Sequence, residues 1–449
     1  MSRKIEGRVL RRGDQGYEDA RQAATWHAGT PDRFPAVIVQ ANSTDDVVAA
    51  LGLARAEGLK MAVRSGGHSW AGSHLRDGTL LLDVSGLRDV FINAEEMSAT
   101  AQPGLRGSEL GEALSKRGLY FPVGHCQTVC IGGYLLQGGF PWRGREFGPS
   151  CMSVTGVEVV TADGDLVYAD STHHPDLFWA ARGAGPGFFG VVTRFHVRLY
   201  LLQRATLTSF YLYPPEVWEE YLRWSRSIEP KLPAHVELWN MLYRDEAVST
   251  DGPIISVSAT AFTDNEAQAL DALAIFETCP VRHKALVAEL NRPATTGELT
   301  RIGSEAHYPA GMRFIADNMW THAGFEELLP GLRAIREEFP PAPSHLVWFP
   351  WKLTPERPSM AYSVEDELYI ALYAAWDRKA DDESYRHWVT ERMRAMEPLA
   401  TGIQLADENL INRPQRFVTD AHLRRLDEIR ASYDPDALFV SWLGRSDLD

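Results

Sequence analysis

The sequence predicts an α+β protein of more than one domain, and three observations carry that reading. Residues 34–63 hold an apolar strand, a capped helix and a second strand that ends on Arg64-Ser65-Gly66-Gly67-His68-Ser69, the way a mixed fold presents a ligand loop. Beyond that loop, strands and helices alternate too irregularly for a doubly wound sheet. Past about residue 203 the texture changes to strand-then-helix pairs, and near residue 403 it changes back. A chain of 449 residues has room for two or three domains.

Phe34-Pro35-Ala36-Val37-Ile38-Val39 reads as a short strand bounded by proline and by Asn42-Ser43. Ser43-Thr44-Asp45-Asp46 supplies a helix start; apolar residues at 47, 48, 51 and 54 give that helix a buried face, and Gly58 stops it. Leu59-Lys60-Met61-Ala62-Val63 is the strand that delivers the glycine-histidine loop. Residues 80–84 form another strand and 108–116 a short helix ended by Gly118. Residues 154–160 form a strand that turns at Ala162-Asp163-Gly164-Asp165 into Leu166-Val167-Tyr168.

Gly185-Pro186-Gly187-Phe188-Phe189-Gly190 has the spacing of a dinucleotide-binding loop. That motif needs a helix N-terminus after it to face a pyrophosphate. A β-branched alternation, Val191-Val192-Thr193-Arg194-Phe195-His196-Val197, follows instead, so these glycines read as a close-packed turn.

In the middle segment, residues 207–213 form a strand and Pro214-Pro215-Glu216 opens a helix to about Ser227. Similar pairs recur at 254–262 with 265–276 and at 367–376 with 381–396, which fits a second sheet with helices on one face. The same segment holds Trp218, Trp224, Trp239, Trp320, Trp348, Trp351, Trp376 and Trp388; tryptophan is mostly core, though an aromatic pocket could draw on some of them. Near the end, 419–432 is an amphipathic helix with Leu423, Leu426 and Ile429 on one face, stopped by Asp434-Pro435.

Two loops carry chemistry. The first is the His68 loop; the second is Val123-Gly124-His125-Cys126-Gln127-Thr128-Val129, followed by a run with paired glycines at 132–133 and 138–139. Each sets a nucleophile among glycines that let backbone approach a ligand closely. Together they imply a large cofactor gripped from two sides.

Composition excludes several classes. A net charge of −15 argues against a nucleic-acid surface. No apolar run reaches the ~18 residues of a membrane span, and Met-Ser-Arg-Lys-Ile-Glu-Gly-Arg-Val-Leu lacks a signal-peptide core, so a cytoplasmic protein is expected. Cysteines at 126, 130, 151 and 279 are too few and too irregular for a disulfide framework, and no second pair at finger spacing supports a metal site.

Arg64-Ser65-Gly66-Gly67-His68-Ser69, with Cys126, Val129, Gly132-Gly133 and Gly138-Gly139 in register behind it, resembles the FAD-linked oxidases of the vanillyl-alcohol-oxidase superfamily, in the berberine-bridge-enzyme-like branch. Asp176-Leu177-Phe178-Trp179-Ala180-Ala181-Arg182-Gly183, Gly190-Val191-Val192-Thr193 and Tyr433-Asp434-Pro435-Asp436-Ala437-Leu438-Phe439 continue the resemblance. It implies a two-part FAD-binding domain of the PCMH type, residues 1–203 and 403–449. Between the parts stands an inserted α/β substrate domain, 204–402, with an antiparallel sheet covered by helices. It further implies FAD bonded to His68 at the 8α carbon and to Cys126 at C6, with Arg64, Ser65, Gly66, Gly67, Ser69, Gly124, Val129, Gly132, Gly133, Gly138 and Gly139 against the cofactor. Val129 would keep oxygen's path to the flavin open.

The sequence also departs from the family. Where relatives carry Tyr-x-Asn-Tyr, the matching stretch reads Leu410-Ile411-Asn412-Arg413. Without the tyrosines, Asn412 remains on the substrate side, with Lys352 and Glu365 as further candidates. The function implied is an FAD-dependent oxidase that takes hydride from a CH–OH or CH–NH carbon of a small aromatic metabolite and passes the electrons to oxygen as peroxide. The alternatives are an oxidative cyclase and a non-catalytic flavoprotein. A small-molecule substrate and oxygen are the expected partners, with no nucleic acid, membrane or metal.

Overall fold

The computed structural model describes residues 4–354 and 356–445. Its first sheet runs Arg8–Arg11, Val37–Gln40, Leu80–Asp83, Met61–Arg64, the last three parallel and the first antiparallel to its neighbour. Parallel neighbours require a crossover, and helix Thr44–Glu57 is part of it. Ser43 accepts the Asp46 N–H at 3.1 Å, Gly58 takes φ 65° at the other end, and Val47, Ala50, Leu51 and Ala54 are buried. The C-terminal segment extends this sheet at Met61: its N–H donates to the Leu438 carbonyl (2.7 Å), and the Val440 N–H donates back (2.9 Å).

A second sheet runs Val90–Asn93, Ser98–Ala101, Gly190–Arg198, Val154–Thr161, Leu166–Ala169, antiparallel throughout. The glycines before strand Gly190–Arg198 form the close-packed turn their context predicts, since a Cβ at Gly187 would run into the Trp442 indole. One hydrophobic cluster joins residues of 37–199 to Ile403, Leu405, Leu426, Ile429, Phe439 and Trp442 near the C-terminus.

The third sheet has seven antiparallel strands in the order Val287–Pro293, Ala205–Tyr213, Ile254–Thr263, Val236–Tyr243, His345–Pro350, Leu368–Trp376, Arg313–Thr321. Side chains alternate across it. Leu368, Ile370 and Leu372 join a core with helices Trp218–Ile228, Glu266–Leu273, Phe325–Glu337 and Asp382–Met396, whereas Tyr369, Ala371 and Tyr373 join an aromatic layer on the opposite face. The fold is α+β.

Four of these strands escape a reading by alternation, each for a physical reason. Arg313–Thr321 is buried along its whole length yet carries Asp317, Asn318 and Thr321. Val287–Pro293 is a largely exposed edge. The other two, Val236–Tyr243 and His345–Pro350, mix polar residues into buried positions. Helix Phe325–Glu337 contains Pro330, which reads as a breaker.

Candidate active site

A cavity with about 1040 Å³ of atom-free space opens beside strand Met61–Arg64, and the His68 loop forms one wall. Arg64 anchors that loop by pairing with Asp83 (2.8 Å) and donating to the Ala24 carbonyl (3.2 Å); Ser65 donates to the Pro103 carbonyl (2.7 Å). Gly67 takes φ 71°, and a Cβ there would run into the Ala24 carbonyl. The N–H groups of Gly66, Gly67, His68 and Ser69 donate to no acceptor among the described residues, and successive bare N–H groups make an anion-binding concavity. His74 Nε2 and Glu408 Oε1, buried on the same cavity, also have no partner. A Cβ at Gly133 would meet nothing within 4 Å. Bare N–H groups, orphaned polar atoms and an open glycine fit a long ligand with phosphates and polar edges, as FAD is.

The two nucleophile loops meet at Thr128. Its Oγ1 lies 2.8 Å from His68 Nε2 and 3.7 Å from Cys126 Sγ. Trp26 stacks on His68, with centroids 4.9 Å apart and rings 7° from parallel. Burial, with His27, Arg64 and Arg106 adding repulsion, pushes the His68 pKa down to about 3, so the imidazole is neutral at ordinary pH.

Beyond Cys126 a chamber with about 1180 Å³ of atom-free space is lined by His125, Trp142, Phe210, Trp239, Met241 and Tyr308, among others. The ring of Tyr308 on the chamber wall lies 5.9 Å from that of Trp26, which in turn stacks on His68 of the first cavity. Two carboxylates stand near, Glu237 buried and Asp407 half-buried. Asp407 accepts from Trp70 Nε1 (2.6 Å), the Tyr373 hydroxyl (2.9 Å) and the Tyr369 hydroxyl. Burial raises the Asp407 pKa, and those three donors only partly offset it. Glu237 accepts from His125 Nε2 (2.6 Å), Trp239 Nε1 (2.8 Å) and the Arg143 N–H (2.6 Å).

Residues 35–170 match the family model of the FAD binding domain. The chain is 30% identical over 424 residues to the FAD-linked oxidoreductase nodO of Hypoxylon pulicicidum, covering 94% of this chain and 93% of that protein. The chain belongs to the FAD-linked oxidoreductases. Its fold is that of the berberine-bridge-enzyme-like branch. A 6-hydroxy-D-nicotine oxidase from Arthrobacter nicotinovorans superposes with a TM-score of 0.84 at 22% identity, over 98% of this chain and 97% of that one. The berberine-bridge-enzyme-like protein 1 of Physcomitrella patens gives 0.82 at 21%, again over 98% and 97%.

Within this FAD-linked oxidoreductase, the cavity gathers Arg64, Ser65, Gly66, Gly67, His68, Ser69, Val129, Gly132 and Gly133. Cys126, Gly124, Gly138 and Gly139 do not line it; Cys126 is placed beside it by its contact with Thr128, and a Cβ on each of the three glycines would approach Tyr134 or Tyr362, so these glycines serve side-chain packing. The substrate-side expectations need correction. Lys352 is exposed on the surface, not set in an apolar environment, and Asn412 is exposed with its amide on Asn409 Oδ1 (2.7 Å). Glu365 is buried in an ion pair with Arg357. None of the three lines the cavity or the chamber. Arg413 is spent on the buried Asp317, where Asn409 also donates. The segment that does reach the site lies a few residues earlier, with Leu405 and Glu408 on the cavity and Asp407 under Trp70.

Of the eight tryptophans in the middle segment, Trp218, Trp320, Trp348, Trp351 and Trp376 are buried, and only Trp239 lines the chamber. The site's other indoles, Trp26, Trp70 and Trp142, come from the first 203 residues.

Proposed function

We propose that this oxidoreductase is an oxidase carrying FAD on both His68 and Cys126, with residues 204–402 as its substrate-binding domain. The observation that supports it is the meeting of His68 Nε2 and Cys126 Sγ at the Thr128 hydroxyl, 2.8 and 3.7 Å away. A neutral imidazole keeps a lone pair for bonding to carbon, and burial keeps His68 neutral. Each attachment replaces a flavin C–H and a side-chain N–H or S–H, so each gives up two electrons and two protons, which oxygen takes as peroxide. Bound FAD supplies a hydride acceptor that oxygen regenerates. The loop Gly66–Ser69 would hold the pyrophosphate on its bare N–H groups, and Val129, on the cavity wall, would leave oxygen a path. The aromatic lining of the chamber favours an aromatic alcohol or amine as donor.

Acid precipitation tests the attachment. Wild-type protein is expected to stay yellow, His68→Ala to keep a flavin on Cys126, and the double variant with Cys126→Ala to release it; flavin freed from the wild type refutes the reading. An anaerobic screen of aromatic alcohols and amines should bleach the flavin, and Val129→Leu should slow reoxidation by oxygen while sparing reduction.

A further inference from the structure

We propose that His125, oriented by Glu237, is the base that takes the heteroatom proton of the substrate. The inference rests on the oxidase reading and concerns an alcohol donor, because an alcohol must lose its hydroxyl proton as hydride leaves its carbon, whereas a neutral amine can give up hydride as an iminium ion. His125 adjoins Cys126, and its ring borders the chamber, with centroid distances of 4.4 Å to Trp142 and 4.6 Å to Trp239. Glu237 reaches it from strand Val236–Tyr243 of the seven-stranded sheet. A carboxylate only accepts, so the imidazole proton sits on Nε2, and Nδ1 keeps its lone pair. Nδ1 has no partner among the described residues.

A bare imidazole nitrogen on a chamber, with a buried carboxylate behind the other nitrogen, is the arrangement of a general base and its orienting group. The carboxylate fixes the tautomer and stabilises the imidazolium that forms. In the step, the O–H bond of the alcohol breaks and the proton bonds to Nδ1. The freed electron pair becomes the second bond to carbon as the C–H pair leaves as hydride for the flavin. Asp407 is less suited, since three donors already occupy it and it does not line the chamber.

The charged and titratable groups around His125 leave Glu237 as its partner. Arg143 behind it is paired with Glu146, and across the chamber Arg292 is paired with Glu298. Glu289 also lines the chamber. Burial pushes the His307 pKa down to about 4 and the Tyr308 pKa well above its ordinary value, so both stay neutral.

The test uses the flavin-loaded protein and 4-nitrophenol, an aromatic hydroxyl whose ionised form is read in a difference spectrum. Bound 4-nitrophenol is expected to be more ionised than free 4-nitrophenol at the same pH. His125→Gln should cut the ratio of ionised to neutral bound phenol at least about tenfold, the equivalent of one pKa unit. Glu237→Gln should lower it by less, because the amide can still hold the ring but gives the imidazolium no counter-charge. Should His125→Gln fail to fold, His125→Asn carries the same comparison. A wild type that does not bind 4-nitrophenol or does not ionise it beyond the free level, or a His125 variant that ionises it equally, overturns the proposal. Acid precipitation run in parallel reports the flavin attachment separately, so either reading can fail without the other.

Discussion

The His68 loop and the Cys126 loop do matching work and are held by different parts of the molecule. The first is fixed by residues among the first hundred or so: Arg64 on Asp83 and Ala24, Ser65 on Pro103, Gly67 against Ala24. The second has anchors on both sides. Gly107 donates to the Val129 carbonyl (2.9 Å) and Ser108 to that of Gln127 (2.7 Å), but the Gln127 N–H donates to Ser304 Oγ (3.1 Å) and Trp142 Nε1 to Thr300 Oγ1 (2.7 Å), both on helix Thr296–His307. The difference shows that the histidine's position is set locally, whereas the cysteine's is set by how the seven-stranded sheet and its helices seat.

Breaking the local anchor should have the largest effect. Arg64→Met leaves Asp83 largely buried without its cation, at a cost of about 3–5 kcal/mol, read from the denaturant midpoint. Gly67→Ala forces a left-handed φ and a collision with the Ala24 carbonyl on a side chain that cannot yield; about 2–3 kcal/mol is expected, with loss of flavin at His68.

The cavity wall adds a pH term of similar size. Burial raises the Glu408 pKa to about 7 from 4.5, while the Leu410 N–H, Arg33 and Arg76 pull it back. The folded state therefore keeps a proton that the unfolded chain has lost. Stability should fall as pH rises from about 4.5 to 7, by on the order of 3 kcal/mol. Unfolding measured at pH 5 and pH 7 checks this, and Glu408→Gln should flatten the difference.

Loosening the anchor to helix Thr296–His307 should be the mildest change and the most selective. Ser304→Ala removes one acceptor and should cost about 1 kcal/mol. It should slow attachment at Cys126 and leave attachment at His68 as it was, which mass spectrometry of flavin-bearing peptides would separate. Equal slowing at both residues would erase the contrast between the loops.

How much of this was legible in the sequence follows from the range of the interactions. Ser43 capping Asp46, Gly58 ending the helix and Gly67 turning the loop are contacts within a few residues, and residue type betrays them. Glu237 lies 112 residues from His125, and nothing local to either marks the pair. His125 sits inside the motif that singles out Cys126, yet only the seven-stranded sheet gives its ring a task. Residues 410–413 stand where the family resemblance places a substrate-side motif, but a turn sends Arg413 to Asp317 and leaves Asn412 outside, while Asp407 and Glu408 turn inward. Lys352 follows the buried Trp351 in sequence, yet strand His345–Pro350 has already ended there, and Lys352 and Leu353 both reach solvent.

Met61 takes its last pairing partners from Leu438 and Val440, and Phe439 and Val440 are part of the cavity wall. A growing chain therefore carries both nucleophile loops long before it carries the wall that closes the cavity beside them. Capture of the cofactor in its finished seat thus waits for residues 438–440: a ribosome stalled after both loops but before residue 440 displays His68 and Cys126 without the wall that closes the cavity.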